Sequence, residues 1–345
     1  MTKLDQFEAY LMKARKAPAT VSQYMGFARA YRDFCKGKSF DTPQDAVCSY
    51  LTSFSVNKKS IAHQKGALNA LAGKSGLYVA LGEPLGRLPI WVNAKRIETV
   101  PVWVTRAEAE AIAGQLSEPW ALMVMIMFGA GLRVGEVVGL RWKDLDFERN
   151  TITVHQGKGN KDRITFLPQS LKPMLRERYR RCRALWREDR MGAMPGVSVP
   201  QSCENKSPKC GEDWPFFWVF PAAGESVDKV SGIKRRHHVH KKSISKALRP
   251  AVRRSGVAKR VVCHSFRHGF ATAYLLAGGV LTELRDLLGH KSIQTTEIYA
   301  HCVPDFMNRV GSPLDCADPA VDDAVIPFAA SARAEMVDAP MRKFN

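Results

Sequence analysis

Between residues 82 and 103 the chain carries Gly82, Pro84, Gly86, Pro89 and Pro101, with Lys95 and Arg96 among them. Proline fixes φ and removes a backbone donor, so neither a continuous helix nor an interior strand can run through this stretch. It reads as an extended linker over 84–103, and it forces the apolar residues on either side into separate cores. With 345 residues, 45% of them hydrophobic, the chain can bury two cores of ordinary size.

On the N-terminal side, Val21, Tyr24, Phe27 with Ala28, Tyr31, and Phe34 with Cys35 recur every three or four residues, which places them on one face of a helix. Thr42-Pro43-Gln44-Asp45 has a capping residue, proline at the first helical position and an acid in the first turn. A further helix begins near Ser60 and runs through Leu68 and Leu71. Residues 1–83 therefore predict an all-helical domain, in itself no more than a packed bundle.

Thr105-Arg106-Ala107-Glu108 is a capping-box pattern that opens a second domain at about residue 104. The longest apolar run, Trp120 to Phe128, falls short of the roughly 18 residues a membrane span needs and reads as a buried core helix. It runs into Gly129-Ala130-Gly131-Leu132-Arg133-Val134-Gly135-Glu136, where the glycines end one helix and Arg133 starts the next, facing an anion. No strand precedes this Gly-x-Gly and a third glycine is missing, which argues against a nucleotide loop. Thr151–Gln156 and Arg163–Leu167 are β-branched, alternating runs joined by a glycine-rich turn, so they predict a hairpin with Lys158 at the start of its tip. A lysine in such a turn is ordinarily just solvated.

Leu171, Leu175, Tyr179, Cys182 and Trp186 form the apolar stripe of a basic helix. Residues 188–240 read as a loop-rich insertion, and five aromatics fall within Trp214–Phe220. Some of those rings must be core. Arg235-Arg236-His237-His238 follows, and flat rings alternating with cations are what unpaired bases stack upon. The tail 316–345 is rich in Ala, Asp and Pro and is expected to be poorly ordered. The fold expected is mainly α with a small β-hairpin, an α+β class.

Lys and Arg number 52 against 33 Asp and Glu, a net charge of +19 that calls for a polyanionic partner, nucleic acid before membrane. Met1–Glu8 has acids where a signal peptide needs an apolar run, so the cytoplasm is the expected compartment and the eight cysteines are expected to be free thiols. Cys203 and Cys210 precede His237, His238 and His240, but the six residues between the cysteines exceed zinc-knuckle spacing, so no metal is expected.

The richest chemistry lies near the C-terminal end: His264-Ser265-Phe266-Arg267-His268, some twenty helix-compatible residues, then Leu287-Leu288-Gly289-His290-Lys291 and Thr295-Thr296-Glu297-Ile298-Tyr299. Taken singly, a tyrosine or histidine in an amphipathic segment is core. Together, an arginine fork, histidines near neutral pKa and a phenol nucleophile suit one substrate, a phosphodiester.

This constellation resembles the catalytic end of tyrosine recombinases, also called phage-type integrases; the resemblance covers roughly residues 1–315 and is strongest between Gly129 and His301. It implies an active site of Arg133, Lys158, His264, Arg267, His290 and Tyr299, with Glu136 supporting Arg133, in a catalytic domain over 104–315. Ala130, where relatives often have Ser or Thr, and Phe266, where many have Leu, are departures outside the chemistry. The resemblance further implies a 3′-phosphotyrosyl intermediate, no cofactor, neither ATP nor metal, an N-terminal domain that binds DNA, and a homo-tetramer assembled on two DNA sites. The Trp-Pro-aromatic insertion, Ser231-Gly232 before Arg-Arg-His-His, and Ser312-Pro313-Leu314-Asp315 look like those of integron integrases. Such enzymes insert and excise gene cassettes at folded single-stranded sites, which makes Phe216, Trp218, His237 and His238 candidates for stacking on extruded bases. Another phage-type integrase, a chromosome resolvase, a type IB topoisomerase and a non-catalytic DNA-binding relative are the alternatives.

Overall fold

The computed structural model describes residues 2–57, 59–94, 101–155, 162–228 and 231–300. Lys158 with its turn, Ser312–Asp315 and the tail 316–345 lie outside the described residues. The chain divides into two compact units, Met1–Val100 and Pro101–Asn345.

Helices are the regular elements of the first unit among its described residues: α1 (Lys3–Lys13), α2 (Pro18–Cys35), α3 (Pro43–Val56), α4 (Ile61–Ala72) and α5 (Leu77–Ala80). Its helices start where side chains satisfy orphan amides, with Thr42 accepting from the Asp45 N–H and Ser60 from the His63 N–H. Val21, Met25, Phe27, Ala28 and Tyr31 of α2 turn inward against Phe7, Leu11, Leu51 and Leu71. The stretch read as a linker is partly a strap. Gln64 donates to the carbonyls of Leu51 and Val92 at 2.8 Å and accepts from the Ala94 N–H at 2.9 Å, while Leu85, Leu88 and Trp91 pack on the helical core. One buried amide thus satisfies the backbone of a proline-rich segment that has no ladder of its own.

The second unit holds α6 (Arg106–Ala113), α7 (Trp120–Ala130), α8 (Val134–Val138), β1 (Leu145–Asp146), β2 (Thr151–Val154), β3 (Arg163–Phe166), α9 (Lys172–Met191), α10 (Gln201–Lys206), β4 (Pro221–Val227), β5 (Lys234–His238), α11 (Lys241–Arg254), α12 (Cys263–Leu276), α13 (Leu281–Leu288) and α14 (Gln294–Ala300). The fold is α+β, as expected. The apolar run became α7, with Leu122, Met123, Val124, Ile126 and Met127 fully buried, and α12 packs along it. Thr105 and Glu108 exchange the two hydrogen bonds of a capping box at the start of α6.

β2 and β3 pair antiparallel with Val154 opposite Arg163, and β1 adds a third strand that sequence periodicity did not announce. The insertion is more regular than expected. α9 continues to Met191, and β4 pairs antiparallel with β5. Most of β4 faces solvent, so it lacks the alternation that marks a half-buried strand. Among the described residues no helix is long and apolar enough to cross a membrane.

Candidate active site

Glu136, on α8, gathers three guanidinium groups. Its carboxylate accepts from Arg133 Nη1 at 2.8 Å and from Arg163 Nη1 and Nη2 at 3.0 and 2.7 Å, and lies 3.9 Å from Arg267 Nη1. It also accepts from the Arg133 backbone N–H at 2.8 Å, which ties the carboxylate to the start of α8. Burial works against the charge on Glu136, but the Arg163 and Arg133 hydrogen bonds and charges win, and its pKa falls to about 2.

Arg267 is buried in α12 and is 1% exposed. It donates to the carbonyls of Gly131 at 2.7 Å and Leu288 at 2.6 Å, tying the α7–α8 turn to the end of α13. Both carbonyls adjoin sharp turns: Gly131 has φ 66° and Gly289 φ 64°, conformations that favour glycine. Burial, then the charge of Arg133, pushes Arg267 down to about 9, which leaves it cationic at neutral pH.

Arg267 Nη2 also lies 3.0 Å from His290 Nε2. A guanidinium only donates, so His290 Nε2 accepts. The ring proton then sits on Nδ1, which donates to Thr296 Oγ1 at 2.9 Å. Burial and the charges of Arg267, Arg133 and Arg163 hold the His290 pKa down at about 4, consistent with this neutral tautomer.

Tyr299, on α14, is 2% exposed and packs against Phe270, Ala271, Leu284 and Leu288. Its ring is nearly parallel to that of His290, with centroids 6.5 Å apart. The hydroxyl meets His268 Nδ1 at 2.8 Å. His264 and His268 stand one turn apart on α12 with ring centroids 5.2 Å apart, and His264 is exposed at its outer side. Its pKa is lowered by partial burial and by Arg267 and Arg133.

Of the residues singled out from sequence, Arg133, Glu136, His264, Arg267, His290 and Tyr299 thus converge on one region of the second unit. Two further participants are Arg163 and His268. Arg163 fixes Glu136 bidentately and donates to the Leu287 carbonyl at 2.9 Å, bridging β3, α8 and α13. In sequence it is one more strand-end cation, without a distinguishing signal. His268 did carry a signal, since it stands four residues after His264 and beside Arg267.

The aromatic insertion needs correction. Trp218 is 5% exposed, its ring lies under the Arg141 guanidinium at 3.8 Å, and its indole N–H donates to the Arg236 carbonyl. No face of it is open to a base, so the stacking role expected for Trp218 does not fit. His238 is half-buried edge-on against that indole and shares a hydrogen bond with the Val239 carbonyl. Arg235 and Arg236 are buried as well, Arg236 in a bidentate pair with Asp189 at 2.6 Å. Phe216 and His237 are half-buried and keep part of their surface exposed. Among the described residues no group of three or more His, Cys, Asp and Glu is arranged to hold a metal ion.

Residues 103–304 match the model of the phage integrase family. An "Integrase/recombinase" from Escherichia coli is 34% identical over 322 residues, 92% of this chain and 94% of that one. "Tyrosine recombinase XerA" from Pyrococcus furiosus is 27% identical over 86% of this chain and 88% of its own. Among solved structures, a lambda integrase tetramer bound to a Holliday junction superposes with TM-score 0.58 at 18% identity, over 86% of this chain and 76% of that one. The Tn1549 transposon integrase in complex with transposon right end DNA gives 0.57 at 16% identity, over 90% and 98%. This chain belongs to the phage integrase family, the tyrosine recombinases, which break and rejoin DNA strands in site-specific recombination.

Proposed function

We propose that the chain is an integron-type integrase that inserts and excises gene cassettes through a 3′-phosphotyrosyl intermediate on Tyr299. In this reading Arg133 and Arg267 hold the nonbridging oxygens of the scissile phosphate, where charge builds during displacement. Arg133 keeps guanidinium N–H groups that no acceptor among the described residues engages, so it can reach a phosphate while Glu136 holds its other edge. His264 contributes a phosphate contact from the exposed side. His290 orients Arg267 rather than moving protons, since both its nitrogens are occupied. Lys158 donates the proton to the departing 5′-oxygen. The linkage to tyrosine conserves the energy of the broken bond, so rejoining requires neither ATP nor metal.

The observation that carries this reading is the convergence of two arginines, the histidines and one phenol around Glu136 and α12. The net charge of +19 suits a DNA partner, and we assign DNA binding to the helical residues 1–83 together with catalysis to 104–315. Four protomers around two sites is the assembly this chemistry needs, one tyrosine for each strand exchanged.

Two measurements test it. Nicked duplexes tiling the DNA beside the gene trap the enzyme when the short strand diffuses away. The full chain is expected to become covalently attached to one of them, whereas Tyr299→Phe binds that duplex without attachment. For the cassette role, Phe216→Ala is expected to depress recombination of a folded single-stranded site by about tenfold, as loss of one base-stacking platform should, and to leave duplex–duplex recombination nearly unchanged. Equal loss on both substrates would favour another phage-type integrase.

A further inference from the structure

We propose that His268 is the proton acceptor for the nucleophile: its Nδ1 takes the hydroxyl proton of Tyr299 as the phenol oxygen attacks phosphorus. The proposal deepens the reading of Tyr299 as nucleophile and rests on it. Two histidines, His268 and His290, pack against this tyrosine, a third, His264, packs against His268, and their contacts divide the roles. His290 spends Nε2 on Arg267 and Nδ1 on Thr296, and presents only its ring face to Tyr299. His264 packs against His268 and is exposed on its far side. His268 alone of the three has a nitrogen at hydrogen-bond distance, 2.8 Å, from the hydroxyl.

An imidazole with its proton on Nε2 presents a lone pair at Nδ1, and the Tyr299 hydroxyl then donates into it. Among the described residues, the titratable and charged groups against the His268 ring are His264 and Arg267 on α12 and Tyr299 on α14. Burial, then His264 and Arg267, lowers His268 to about 4, so the ring is neutral and its lone pair is available at physiological pH. Low basicity in the free protein is relieved by substrate. A phosphate between Arg133 and Arg267 brings negative charge to the same region, and a neighbouring anion favours the protonated imidazole.

The step balances. The Oη–H bond of Tyr299 breaks and its proton moves to Nδ1; the Oη–P bond forms as the P–O5′ bond breaks. The O5′ electron pair receives its proton from the separate acid assigned to Lys158. On rejoining, the 5′-hydroxyl returns its proton to Lys158 as the O5′–P bond forms, the Oη–P bond breaks, and the departing phenolate recovers its proton from the His268 imidazolium. A positively charged histidine beside Tyr299 therefore exists only while the DNA is covalently held.

The test uses the full chain and the nicked duplex that the wild type captures, with His268→Ala and His268→Asn compared at equal occupancy. Asparagine can place a hydrogen-bonding atom near the position of Nδ1 but cannot accept the proton. A base role predicts that both variants bind the duplex like wild type and form the adduct roughly 100-fold or more slowly. The wild-type rate should level off as pH rises, whereas the Asn variant keeps accelerating as hydroxide replaces the lost base. A duplex with sulfur at the bridging 5′ position, whose thiolate leaves without a proton, should not restore either variant. Wild-type rates in His268→Asn would make the residue a positioning group and overturn the proposal, and rescue by sulfur would move it to the leaving group. An adduct persisting in Tyr299→Phe would sink the nucleophile assignment itself, and the role of His268 with it.

Discussion

Glu136 sets the charge balance at the scale of single residues. Three arginines meet one carboxylate that is only 11% exposed, so removing the carboxylate leaves cations facing one another out of water. Its pKa lies near 2 against an ordinary 4.5, so the stability it contributes is fully present above pH 4.5 and is lost as pH falls toward 2. Glu136→Gln is therefore expected to lower urea stability at neutral pH by about 3 kcal/mol. It should also flatten the decline in stability below pH 4.5. Parallel pH profiles for the two proteins would show that Glu136 does not carry the effect. Arg133, Glu136, Arg267, His290 and Tyr299 could be singled out because they stand in motifs that resemble those of tyrosine recombinases. Arg163 could not, because its role exists only once β3 and α13 lie side by side. Nor could burial of Trp218 be told from exposure of Phe216, since both stand in one run of rings without periodicity.

At the scale of elements, two tight turns deliver the backbone carbonyls that grip Arg267. Gly289 follows α13 with φ 64°, and a Cβ there would stand 2.9 Å from Arg163 Cδ. Gly289→Ala must either strain the turn or displace Arg163, the residue that fixes Glu136 and the Leu287 carbonyl. We expect about 1–3 kcal/mol of lost stability and slower covalent capture with DNA affinity retained. Wild-type capture by this variant would mean that the turn tolerates a side chain and does not set Arg267. The caps of α3, α4 and α6 were legible because each needs only a few adjacent residues. The stretch after Arg267 read as continuously helix-compatible, yet α12 stops at Leu276 and α13 starts at Leu281, with Gly278 at φ 91° between them. The β4–β5 pair was hidden because its outer residues face solvent and give the sequence no alternation.

Across the whole molecule, the α+β class follows from long helical periodicities interrupted by one short β-branched alternation, and that much was plain from the chain. Family membership and the convergence of side chains address different questions. The first says that chains of this kind recombine DNA, and the second is the ground on which we propose the Tyr299 hydroxyl as the group that becomes bonded to it. Everything proposed for Arg133, Arg267, His268 and Lys158 presumes that the bond forms at Tyr299. The most direct measurement is to trap the full chain on a nicked duplex, digest the adduct and locate the nucleotide-bearing peptide by mass spectrometry. The expected result is a 3′-phosphate ester on Tyr299, with no adduct from Tyr299→Phe. An ester on any other residue, or an adduct undiminished in the phenylalanine variant, would contradict the account.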